Sequence, residues 1–131
     1  MVKLVRTDSS NPSFRHLVSL LDAELAERDG DDHAFYAQFN RVDAIKHAIV
    51  LFENGEPVGC GAIKPFDANT MEVKRMFVLP QYRGKGLAGR ILGALEQWTS
   101  ELSLTRCVLE TGKKQPEAIA LYNRAGYRVI P

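Results

Sequence analysis

The chain has 131 residues, 45% of them apolar and 25% charged, with 17 Lys plus Arg against 16 Asp plus Glu and a formal net charge of +1. That length suits one domain, 1–131, with room for a real core, and a near-neutral balance argues against a dedicated nucleic-acid binder, whose basic face would move the total. No apolar run approaches membrane-spanning length, and Lys3 and Arg6 interrupt the short apolar start, so neither a membrane span nor a signal peptide is expected. Cys60 and Cys107 both fall in strand-like runs without metal-ligand spacing. Buried free thiols, no metal and a cytoplasmic location are the expectation.

In chain order, Val2 to Val5 reads as a short strand. Asn11-Pro12 supplies an N-cap and an N1 proline for a helix whose apolar stripe is Phe14, Leu17, Val18, Leu21 and Leu25. Gly30 ends it, and Asp31-Asp32 can cap a shorter helix carrying Phe35, Tyr36 and Phe39. His47 to Glu53 is a strand, Asn54-Gly55 a hairpin turn, and Pro57 to Phe66 the return strand. A turn at Asp67-Ala68-Asn69 leads into a strand from Thr70 to Leu79. A long helix from Gly84 to Leu102 follows, with Leu87, Ile91, Leu95, Trp98 and Leu102 on one face. Arg106 to Glu110 is a strand, Thr111 to Lys114 a loop, Pro116 opens the last helix, and Tyr127 to Ile130 is a final strand.

The order is β-α-α-β-β-β-α-β-α-β. A meander followed by alternating elements predicts an α+β fold of three α/β-type layers. Its mixed, mostly antiparallel sheet has about six strands, helices on both faces and one parallel pair at the long helix's crossover.

The functional signal lies where the fourth strand meets that helix. Met76-Phe77-Val78-Leu79 runs into Pro80, then into the basic, glycine-rich turn Gln81-Tyr82-Arg83-Gly84-Lys85-Gly86, and then Leu87-Ala88. Glycines let backbone N–H groups approach a ligand closely, and the first helical turn leaves its donors unpaired beside the positive end of the macrodipole. Arg83, Lys85 and Arg90 add local positive charge, so the natural occupant is a phosphate or diphosphate. A nucleotide P-loop drops out because its Lys-Ser/Thr pair is missing. Gly84-x-Gly86-x-x-Gly89, with Glu110 downstream, matches the dinucleotide fingerprint literally. In that fold, however, the first glycine follows the strand almost directly and more βα units follow, whereas here Pro80 to Arg83 intervene and little chain remains after Glu110.

Gln81 to Gly86 also fits the Q/R-x-x-G-x-G/A diphosphate loop of the Gcn5-related N-acetyltransferase (GNAT) superfamily, with the Val-x-Pro before it and the Leu-Ala after it. Downstream, Gln115 to Tyr127, with Ala118, Leu121-Tyr122 and Gly126-Tyr127 in register, resembles that family's last helix and strand. The resemblance is strong from Glu72 to Val129. It implies acetyl-CoA as co-substrate and transfer of its acetyl group to a primary amine, by direct attack in a ternary complex. The acceptor is a small molecule or a peptide. The family's fourth and fifth strands splay apart to admit the coenzyme. Its usual seventh strand is absent here, which leaves a truncated chain, an open edge, or an edge covered by another copy in a homodimer.

On this resemblance the diphosphate sits on Gln81, Arg83, Gly84, Lys85, Gly86, Leu87 and Ala88, and the pantetheine arm pairs with Met76, Phe77 and Val78 as an added strand does. A backbone N–H near Phe77 or Val78 is the candidate oxyanion donor. Tyr122 is the candidate acid toward the leaving thiolate and a coenzyme contact, against a plain reading as part of the Ala118, Leu121, Tyr122, Ala125 core stripe. Glu72 is the candidate base, against a salt bridge with Lys74; Glu110 competes with it for the role. Strict alternation along the strand puts Glu72, Lys74 and Met76 on one face and Val73, Arg75 and Phe77 on the other. Lys74 and Arg75 are candidates to hold an anionic acceptor group, against solvated or paired charges. His33, with Tyr36 and Phe39, lies on the segment that in relatives covers the acceptor. His16 and His47 carry no signal, and Trp98 reads as core. The alternative from another class is a non-catalytic acyl-CoA-binding sensor, which would keep the loop and lack the chemistry.

Overall fold

The computed structural model describes residues 1–29, 45–109 and 127. The expected helix around Phe35 to Phe39, Glu110, the loop after it, and the last helix and strand apart from Tyr127 lie outside the described residues, so Tyr122 and His33 do too.

Among the described residues, five strands form one sheet in the order β1 (Val2–Thr7), β2 (His47–Glu53), β3 (Glu56–Asp67), β4 (Thr70–Val78) and β5 (Arg106–Leu109). The first three pairings are antiparallel and β4–β5 is parallel. Helix α1 (Pro12–Asp29) and helix α2 (Leu87–Glu101) are the described helices. The chain does what its turn chemistry asks. The Phe14 N–H donates to Asn11 Oδ1 at 3.0 Å, which caps α1 ahead of Pro12. Asn54 and Gly55 both have positive φ, 52° and 87°, the backbone of the two-residue hairpin turn between β2 and β3.

The two helices cover opposite faces of the sheet. Ile49, Leu51, Val58, Ile63, Met71, Val73 and Val78 pack with Leu87, Ile91, Leu92 and Leu95 of α2. Phe14, Leu17 and Val18 of α1 pack with Ala48, Val50, Cys60, Ala62 and Phe77. Each fully buried aliphatic or aromatic side chain contributes about 1.5–3 kcal/mol, so these two layers supply most of the driving force.

Four expectations need correction. Helix α2 starts at Leu87, not Gly84, because Gly84 and Gly86 have φ of 82° and 79° and cannot continue a right-handed helix. At its far end Thr99 takes the buried place, donating its hydroxyl to the Leu95 carbonyl at 2.9 Å. Trp98 is half-buried under the Arg6 guanidinium, 4.8 Å from its ring centre, and Leu102 is exposed. Cys60 is buried as expected, whereas Cys107 is half-buried.

The fourth correction concerns β4. Cys60 pairs with Phe77 and Ala62 with Lys74, so Arg75 and Met76 together face Gly61, which is a β-bulge. Arg75 sits in it at φ 60°. The bulge resets the alternation: Val73 and Met76 face α2, while Arg75 and Phe77 face α1. Glu72 and Lys74, which alternate with the α2-facing Met71 and Val73, therefore share the α1 face with Arg75 and Phe77. The charged residues of this internal strand lie on one face, not two.

Candidate functional site

β4 pairs with β5 along Thr70 to Val73, up to Leu109, the last described residue of β5; among the described residues its second half, Lys74 to Val78, has β3 on one side and no partner strand on the other. A strand half without a neighbour leaves backbone donors and acceptors open to an extended ligand. Immediately beyond that half come a 3₁₀ turn, Pro80–Tyr82, the glycine loop and the start of α2.

The loop has the form of an anion cradle. No side chain caps α2, and the first backbone bond into it is the Arg90 N–H to the Gly86 carbonyl at 3.2 Å. Among the described residues, the N–H groups from Gly84 to Gly89 meet no protein acceptor. A Cβ at Gly84 or Gly86 would touch nothing within 4 Å. Those glycines are needed for their left-handed backbone, and the space above them is open. Unpaired donors at the positive end of a helix, with clear approach, suit a diphosphate.

The side chains around the cradle have distinct positions. Gln81 is exposed, and Lys85 holds its ammonium over the Tyr82 ring, 5.2 Å from the centre. Leu87 is buried and Ala88 packs against the α2 core, so these two offer only backbone to a ligand. Met76 packs toward α2, Phe77 toward α1, and Val78 is buried. Arg83 is turned inward. Its Nε–H donates to the Val78 carbonyl at 2.8 Å, and its two terminal nitrogens grip Glu24 of α1 at 3.2 and 2.6 Å.

On the α1 face of β4, Glu72 and Lys74 are 3.6 Å apart and both partly buried. Arg75, 3% exposed, reaches Asp22 of α1 at 3.2 Å. Glu72 sits in the paired half of β4, opposite Lys64 and Val108. At about 3.3 Å per strand residue it is ~10 Å along the chain from Arg75 at the bulge. Burial pushes the Cys60 thiol up to about 12 despite nearby Arg75, which keeps it neutral. Tyr127 donates its hydroxyl to Glu96 of α2 at 2.9 Å, and burial together with that carboxylate raises its pKa.

The structure thus brings Met76 to Ala88 into one continuous strand-loop-helix unit with Glu72 at its foot. Asp22 and Glu24 were missed by sequence reasoning. Both lie on α1 far from the motif, and nothing in a linear pattern joins Glu24 to Arg83. The bulge was missed as well, since Arg75 is not a residue type that advertises positive φ. The dinucleotide reading fails on two counts. Its third glycine should pack helix against strand, yet a Cβ at Gly89 would meet nothing within 4 Å, and its sheet should be parallel.

Comparison with known proteins gives the same answer. The uncharacterized N-acetyltransferase YjgM of Escherichia coli is 43% identical over 89 residues, 64% of this chain and 53% of that protein. The IAA acetyltransferase of Azospirillum brasilense is 40% identical over 80 residues, 60% of this chain and 52% of that one. The chain spans about half the length of these curated relatives. A provisionally named acyl-CoA N-acyltransferase from Klebsiella pneumoniae has a crystal structure that superposes with a TM-score of 0.80 at 30% identity, covering 98% of this chain and 83% of that one. Residues 12–127 match the acetyltransferase (GNAT) family, and the chain belongs to that family.

Proposed function

We propose that this chain transfers an acetyl group from acetyl-CoA to a primary amine, both substrates being bound at once. The observation that carries this reading is the run of N–H groups from Gly84 to Gly89 that meet no acceptor among the described residues, around two left-handed glycines just beyond the end of β4. The name of the Klebsiella structure, an acyl-CoA N-acyltransferase, supports the same donor class.

Acetyl-CoA supplies a thioester, whose carbonyl carbon is open to an amine. The chain's own residues do the rest. Gly84, Lys85, Gly86, Leu87 and Ala88 hold the diphosphate through backbone N–H groups, with Lys85 and Gln81 alongside. The open edge of β4 at Met76 and Val78 takes the amide-rich arm as an added strand, although the Val78 carbonyl already accepts from Arg83. Phe77 pairs with Cys60 in the hydrogen-bonded register that begins with the Leu79 N–H on the Val58 carbonyl, so its backbone groups turn to β3 and only its side chain lies beside the arm. The Val78 N–H is the proposed donor to the thioester carbonyl. Tyr122 is the proposed proton donor to the departing thiolate. Glu72 is the proposed base, acting through water and competing with its Lys74 ion pair.

The test is direct. Protein, acetyl-CoA and a panel of amines are incubated while free thiol is titrated with a chromogenic disulfide. Amine-dependent thiol release above the protein-free blank supports transfer. Coenzyme binding without release from any amine would replace this reading with a sensor that binds acyl-CoA and does not turn it over.

A further inference from the structure

Arg83 and Glu24 belong to segments far apart in sequence, yet they form the tightest ion pair around the loop among the described residues. The Glu24 carboxylate takes both terminal nitrogens of Arg83, at 3.2 and 2.6 Å, in the parallel fork geometry that only arginine offers. The third donor, Nε–H, closes a ring onto the Val78 carbonyl at 2.8 Å, and the guanidinium carbon Cζ lies 5.5 Å from the Phe77 ring centre. The two side chains are only 33% and 22% exposed, so solvent screens the pair incompletely. Arg83 directly precedes Gly84, where the backbone turns left-handed.

From this arrangement we infer that Glu24 is a positioning residue for the diphosphate loop. It acts through Arg83, locking the end of β4, the 3₁₀ turn and the entry to Gly84 into the shape that aims the loop N–H groups at the ligand. The inference rests on the reading of the loop as a coenzyme A site. A carboxylate next to an anion site otherwise has the wrong sign. Coulomb's law alone says that removing the Glu24 charge, and releasing Arg83 toward the phosphates, should tighten coenzyme binding. The clamp demands the opposite, because an unanchored loop must be ordered by the ligand itself. The two accounts differ in sign, not only in size.

The experiment measures coenzyme A affinity by calorimetry for the wild-type chain, Glu24→Gln and Glu24→Asp, and records amide spectra of each without ligand. The clamp predicts about tenfold weaker binding for Glu24→Gln, the scale of one lost charge-assisted fork. Glu24→Asp, which keeps the carboxylate, should recover most of that loss. The amide signals of Gly84 and Gly86 should shift in Glu24→Gln while those of β1 and β2 stay in place, which a general loss of stability would not produce. Equal or tighter binding by Glu24→Gln, or unmoved Gly84 and Gly86 signals, overturns the inference. Failure of the wild-type chain itself to bind coenzyme A would overturn the site reading instead, and the amide spectra would still decide the clamp.

Discussion

Gly61 of β3 and Ile91 of α2 approach so closely that a Cβ on the glycine would lie 2.8 Å from Ile91 Cγ2 and 2.6 Å from Met76 Sδ. A Cβ on Gly59, two residues earlier on β3, would lie 2.9 Å from Ile91 Cδ1. These bare positions let α2 settle onto the sheet beside the bulge, and that seat sets where its N-terminus points. Gly61→Ala must push α2 or Met76 away. The expected cost is about 1–3 kcal/mol of overpacking, read as a Tm lower by about 4 °C or more. Coenzyme affinity should fall with it, since the helix carries the cradle. A variant with unchanged Tm and affinity would show that α2 has slack the structure does not display.

How much of this was readable beforehand depended on how local the cause was. The Asn11 cap, the Asn54-Gly55 turn, the bounds of β2 and the strand-loop-helix motif are set by neighbouring residues, and each appears where the sequence places it. The bulge at Arg75 is a property of the β3–β4 register, and the Glu24–Arg83 pair joins distant segments. Neither leaves a periodic trace. Trp98 follows its stripe in part: it packs against the α2-side core but stays half-buried, and Thr99 beside it takes the fully buried place. Cys107 read as buried from its strand context, but β5 is an edge strand of the sheet among the described residues, and the thiol is half-covered.

The proposed acid and base can be separated by kinetics. Tyr122→Phe should lower turnover by about 10²-fold or more, while coenzyme affinity stays within about twofold. Glu72→Gln should lower turnover less if water can relay protons past it. A fully active Tyr122→Phe enzyme would return that tyrosine to the core stripe with Leu121 and Ala125.

His47 predicts a pH effect on stability. Its ring meets Trp98 edge-on at 4.8 Å, and burial, helped by Lys46, lowers its pKa from the ordinary 6.5. A depressed folded value means that the unfolded chain takes up the proton first. The contribution is therefore fully present above 6.5 and is lost as pH falls through the folded value. Thermal melts between about pH 7.5 and 5.5 should show Tm declining with acidification, and His47→Gln should flatten that part of the curve. An unaltered slope would assign the dependence to another group.

Cys60 should be chemically silent. Its buried thiol, held neutral and donating to the Arg75 carbonyl at 3.3 Å, presents no thiolate at neutral pH. Iodoacetamide labelling followed by peptide mapping should leave Cys60 unmodified until denaturant is added. Rapid native labelling would mean that the α1 face of the sheet opens far more readily than its packing implies.

The central claim is that backbone N–H groups between Gly84 and Gly89 grip the diphosphate of coenzyme A. Gly86 has φ 79° and open space above it, so any side chain there is strained and also projects toward the ligand's path. The backbone term alone is about 1–2 kcal/mol. The decisive measurement is calorimetric titration of coenzyme A into the wild-type chain and into Gly86→Glu, with circular dichroism confirming that both are folded. The account predicts saturable one-to-one binding to the wild type and none detectable to the folded variant; equal affinity in the two proteins would contradict it.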